Sequence, residues 1–179
     1  MNSREHILEC AERIVVRDGV GRLTLDAVAA EAGFSKGGVL YHFRTKDDLV
    51  RGMVARLIEE FDGEIARHAS ADPEPVGRLA RAYLKMAFPE PSSLAEHHQQ
   101  VAAALRVAIN NNPSLMQPVC DVRIAFQKRI LEDGLDPVTA RLIQLAADGL
   151  WMAEVLGLPV PGGPERAAVL DRLEALTRR

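Results

Sequence analysis

Apolar residues recur at spacings of three and four along most of the chain, and the breaks between these stripes fall at glycines and prolines. That period belongs to helices with one buried face. Ile7, Leu8, Ala11, Ile14 and Val15 form the first stripe, with Ser3 as the expected cap and Gly19 as its stop. Thr24 caps a short second helix carrying Leu25, Val28, Ala29 and Ala32, and Gly33 ends it where a positive φ suits glycine. Ser35 caps a third, KGGVLYHF, whose Val39, Leu40 and Phe43 are expected to face inward, with Leu25, Val28 and Leu40 holding the second and third helices at their angle.

Thr45 with Asp48 makes a capping box ahead of a long stripe, Val50, Met53, Val54, Leu57, Phe61 and Ile65. The DPEP run at 72–75 separates it from a fifth helix, PEPS at 89–92 ends that one, and Ser93 with Glu96 forms a second capping box for a sixth. Asn112 and Pro113 open a seventh helix, which Pro118 must kink or restart one turn later. Asp136 and Pro137 open an eighth that is apolar on nearly all sides, from Leu142 and Leu145 to Trp151 and Leu156, the pattern of a helix buried on both faces. A ninth carries Val169, Leu170, Leu173 and Leu176. The expected fold class is all-α, with about nine helices and no sheet.

The chain has 179 residues, of which 47% are hydrophobic, 26% charged and 4% aromatic, enough for a sizeable core and against disorder. The amphipathic N-terminus is neither a signal peptide nor a membrane span, and Cys10 and Cys120 have no metal-ligand spacing, so a reducing cytoplasm is the expectation. No nucleophile elbow, phosphate loop, zinc-binding helix motif or nucleotide fingerprint occurs, which argues against an enzyme, and no cofactor is called for. Net charge is −3, and residues 1–51 carry eight basic and eight acidic side chains. Any contact with a polyanion must therefore come from placed cations and helix N-termini, not from a general positive field.

Three short helices with a glycine turn between the second and third form the architecture that sets a recognition helix into the major groove of DNA. Gly37 and Gly38 lie within that third helix, where each costs about 1 kcal/mol of helix propensity. Bare backbone there allows close approach to DNA, with Lys36 beside it in reach of a guanine edge or a phosphate.

The run from Thr24 to Leu49 closely resembles the N-terminal domain of the TetR family of transcriptional regulators, through Thr24, Ala29, Ala32, Gly33, Ser35, Tyr41, Phe43, Lys46 and Leu49. The resemblance implies a helix-turn-helix DNA-binding domain over 1–46, helix four as a connector over about 46–69, and a ligand-binding and dimerisation domain over 47–179. It further implies that Lys36, Gly37, Gly38 and Tyr41 face base edges, with Ser35 capping their helix, and that Thr24, His42 and Lys46 hold phosphates. It implies a homodimer through helices eight and nine, and repression of a palindromic operator relieved by an effector.

Candidate pocket residues are Met86, Phe88, His97, Leu105, Met116, Phe126, Trp151 and Met152, a mostly apolar set suited to a small hydrophobic effector. For any one of them, ordinary core packing is the competing assignment. Small residues Ala146, Ala147, Gly149 and Ala153 on helix eight, with Leu170 and Leu173 on helix nine, are the expected dimer face. Glu96, His97 and His98 do not make a metal site, because neighbours on a helix point about 100° apart. The rival to a regulator is a helical ligand- or partner-binding protein without specific DNA recognition.

Overall fold

A computed structural model describes residues 2–88 and 93–178. Among them lie nine α-helices, α1 (Ser3–Asp18), α2 (Leu25–Ala32), α3 (Lys36–His42), α4 (Lys46–Ala71), α5 (Arg78–Ala87), α6 (Ser93–Asn111), α7 (Gln117–Leu131), α8 (Pro137–Val155) and α9 (Gly163–Leu176), with 3-10 turns at Val20–Arg22 and Pro113–Met116 and no strand. The expected stop at 89–92 and the side chain of Ser93 lie outside the described residues. The chain divides into two compact units, residues 1–58 with 97–120, and 59–96 with 121–179.

Local chemistry sets most helix ends. Thr24 Oγ1 accepts from Ala27 N at 3.0 Å, Ser35 Oγ from Gly38 N at 3.1 Å and Asp136 Oδ2 from Thr139 N at 2.8 Å. Thr45 and Asp48 exchange two hydrogen bonds in a capping box. Gly33 closes α2 in the left-handed region, φ 69°. Pro118 restarts the chain instead of kinking it: residues 113–116 form the 3-10 turn, and Pro118 then sits in the first turn of α7. Helix α1 departs from expectation, since Asn2 is its cap, accepting from Arg4 N, and Ser3 is already helical.

In the first unit, α1 lays Ile7, Leu8, Ala11, Ile14 and Val15 against Val28 of α2, Val39 and Phe43, and Leu49 and Met53 of α4. Leu40, expected in this core, is instead exposed, because the seven-residue α3 buries one edge only, through Val39 and the following Phe43. The second unit is built on α5, which packs against α8 and α9. Leu79, Ala80 and Leu84 meet Phe126, Ile130, Ala140, Ile143 and Ala147 in its core. Ala147, expected on a dimer face, thus belongs to the core of its own subunit.

Candidate nucleic-acid interface

Helices α1, α2 and α3 pack pairwise, α2 against both neighbours, so the turn at Gly33 and Phe34 fixes how α3 projects. With Val39 and Phe43 buried, the other faces of α3 are left to solvent. Tyr41 is 85% exposed, and its ring stands nearly at right angles to that of His42, with centroids 5.0 Å apart. The Tyr41 ring is therefore not part of the core.

Gly37 and Gly38 need no special backbone, since neither has a positive φ. A Cβ on Gly37 would come no closer than 3.9 Å to Ser35 Oγ, and one on Gly38 no closer than 3.5 Å. The fold therefore accommodates side chains at both, and packing gives no reason for their glycine character. Their cost in helix propensity is not offset by any packing in the free chain.

Lys36 and Lys46 are both tethered. Lys36 Nζ lies 3.0 Å from Asp26 Oδ2, and Lys46 Nζ donates to the Val20 carbonyl at 2.5 Å, tying the start of α4 to the preceding 3-10 turn. Thr24 spends its hydroxyl on its cap. Beside Thr24 an open groove of about 600 Å³ is bordered by Arg17, Arg22 and Glu31. Arg17 is held there by Asp18 at 2.8 Å and Glu31 at 3.4 Å. Arg22 and Asp26 were not among the sequence candidates; the signal available was their position within two residues of the cap Thr24.

The expected pocket residues are divided between the two units. Leu105 is buried in the core of the first unit, Met116 lies half open there, and His97 Nε2 stands 3.4 Å from the buried Glu12 carboxylate. In the second unit Phe126 and Phe88 are buried, with Met86 packed against the same core, while Met152 is exposed. What sequence reading missed there is polar. Tyr83 donates to Asp148, Arg123 Nη1 donates to the same carboxylate at 2.6 Å, and the Tyr83 ring lies 4.5 Å from that of Phe126. Burial, and then its bond to Asp148, hold the Tyr83 hydroxyl far above the ordinary tyrosine range.

On α8 Val138, Leu142, Leu145 and Met152, and at its C-cap Leu156, are exposed, spaced four, three, seven and four apart, and Gly149 fills the remaining position of the heptad. Leu142 and Leu145 are each 57% exposed. Of the small residues expected at an interface, Ala146 and Gly149 are exposed and Ala153 is half-buried, while Leu170 and Leu173 are half-buried against their own core.

Residues 7–53 match the family of bacterial regulatory proteins described as tetR, and residues 77–178 match the tetracyclin repressor-like C-terminal domain. The chain belongs to the tetR family of transcriptional regulators. It is 30% identical over 171 residues to the transcriptional repressor AcnR of Corynebacterium glutamicum, a match covering 88% of this chain and 90% of AcnR. It is 34% identical over 86 residues to the transcriptional regulator TtgR of Pseudomonas putida, but that match takes in 47% of this chain and only 40% of TtgR. Among solved structures, the multidrug binding protein EbrR complexed with malachite green superposes with a TM-score of 0.68 at 27% identity, covering 98% of each chain. For this tetR-family chain, no helix among the described residues is long and apolar enough to cross a membrane.

Proposed function

We propose that this tetR-family regulator binds a palindromic operator in double-stranded DNA as a homodimer and represses transcription until a small hydrophobic effector releases it. The observation that carries the reading is the outer face of α3: Gly37 and Gly38 bare without structural need, Tyr41 open to solvent and Lys36 alongside. Residues 1–46 act as the DNA-binding domain, with Lys36, Gly37, Gly38 and Tyr41 toward base edges and Thr24, Ser35, His42 and Lys46 toward the backbone. Residues 47–179 serve effector binding and dimerisation.

The partner of α8 is a second copy of the chain. Its exposed stripe has the a/d spacing of helix-on-helix packing, and so large an apolar face on a free subunit invites association. Paired α8 and α9 helices hold two α3 helices about 34–36 Å apart, one turn of duplex. Effector binding acts by favouring another spacing, to the extent of its preference for one state. EbrR in complex with malachite green supports a hydrophobic, aromatic effector class. The chain works in the cytoplasm, and its task is binding, not catalysis.

Selection from a random duplex pool with the purified chain tests this. The expected product is one inverted repeat with half-sites a helical turn apart, bound less tightly as salt rises. Recovery of no preferred sequence would refute it.

A further inference from the structure

Asp26 stands in the first turn of α2 and Lys36 opens α3, and their side chains meet at 3.0 Å although each is more than half exposed. An exposed ion pair of this kind adds little to stability, because water screens it and two flexible side chains must be ordered to make it. A carboxylate is also a poor neighbour for a face that approaches phosphates. Its presence beside the bare backbone of Gly37 and Gly38 calls for another reason.

We infer that Asp26 is a specificity-determining positioning residue: it holds the Lys36 ammonium beside α2 and keeps that charge from phosphates of arbitrary sequence. The inference rests on the reading of α3 as the recognition helix. A lysine free to swing is a point charge that favours every duplex alike, through release of counterions. Tethered to Asp26, its charge is partly neutralised, and a passing phosphate meets the carboxylate as well. A guanine edge offers two neutral acceptors, O6 and N7, which can share the remaining donors of the ammonium without displacing Asp26. Non-specific binding is thereby lowered and the correct base edge is retained as a partner.

The test uses the full chain, the palindrome it selects and a scrambled duplex of equal composition, titrated at several salt concentrations with wild type, D26N, D26E, K36Q and the D26N/K36Q double variant. D26N is expected to keep the thermal midpoint, bind the scrambled duplex more tightly and steepen its salt dependence by about one phosphate contact. That corresponds to about threefold more affinity lost between 50 and 200 mM salt. The ratio of specific to scrambled affinity falls about fivefold or more, D26E restores it, and D26N changes nothing when Lys36 is already glutamine. If wild type selects a palindrome but D26N alters neither slope nor ratio, the inference alone is overturned. Persistence of the D26N effect in the K36Q background overturns it too, since Asp26 would then act without Lys36. Selection of no duplex by wild type instead removes the DNA-reading assignment beneath it.

Discussion

Gly52 on α4 leaves the space that the Phe43 ring occupies: a Cβ built on Gly52 would lie 2.9 Å from the ring edge and 2.8 Å from a Leu8 methyl. Both neighbours are buried, so neither has room to yield. Gly52→Ala gains about 1 kcal/mol of helix propensity but forces an overpacked core, costing about 1–3 kcal/mol. The expected result is a net loss of stability in chemical denaturation. Gly63→Ala on the same helix has open space around it and is expected to stabilise by up to about 1 kcal/mol. Equal effects from both would show that the packing at Phe43 is not the deciding factor.

The Arg81 guanidinium is fully buried in the second unit, and its Nε lies 2.6 Å from Asp72 Oδ2, with further bonds to the carbonyls of Glu74, Val76 and Thr177. The bond from Arg81 holds the Asp72 carboxyl below its ordinary range against the opposing effect of burial. A carboxyl whose folded pKa is depressed contributes stability above its unfolded value, about 3.9, and that contribution is lost as pH falls through the depressed value. Asp72→Asn is therefore expected to flatten the decline in stability below about pH 4, read from denaturant midpoints across pH. Arg81→Met strands Asp72 and is expected to cost about 3–5 kcal/mol at neutral pH. An unchanged acid limb in Asp72→Asn would remove Asp72 as its source.

What could be read in the sequence follows the range of the interaction that decides it. Thr24, Ser35, Thr45 and Asp136 cap helices through bonds to residues three positions on, so each was visible in its own neighbourhood. The cap of α5 was not, because Asp133, 54 and 53 positions away, supplies it to Leu79 and Ala80. Leu40 was misplaced because seven residues of α3 hold too few apolar positions to fix a face. Helix α8 is apolar on nearly all sides in sequence, and the seating of α5 is what tells that Ala147 turns inward while Leu145 turns out. In the candidate interface Gly37 and Gly38 stand out in the sequence itself as helix-weakening positions. The Asp26 tether of Lys36 spans ten positions and two helices, and no local pattern encodes it.

The glycines of α3 separate folding from recognition. Gly37→Ala and Gly38→Ala meet ordinary space in the free protein, so each is expected to raise stability by about 0.5–1 kcal/mol. Each is also expected to weaken operator binding by the worth of a base contact, about 1–3 kcal/mol. Opposite signs in a thermal melt and a binding titration are the signature. Unchanged operator affinity in both variants would end the claim that DNA comes close to this backbone.

The exposed stripe of α8 is testable through charge. Leu145 is more than half exposed in one subunit, so glutamate there costs the isolated fold little. In a two-fold interface the substitution enters twice, placing two carboxylates among apolar side chains, and is expected to cost about 2 kcal/mol or more per subunit. Leu145→Glu should therefore sediment as a folded monomer with an unaltered helical spectrum, where wild type sediments as a dimer. Because one subunit presents a single α3, the variant should keep its salt-dependent affinity for arbitrary duplexes while losing its advantage for the inverted repeat. A variant that stayed dimeric would move the interface off this stripe. One that became monomeric yet still preferred the full palindrome would break the link between α8 pairing and the spacing of the recognition helices.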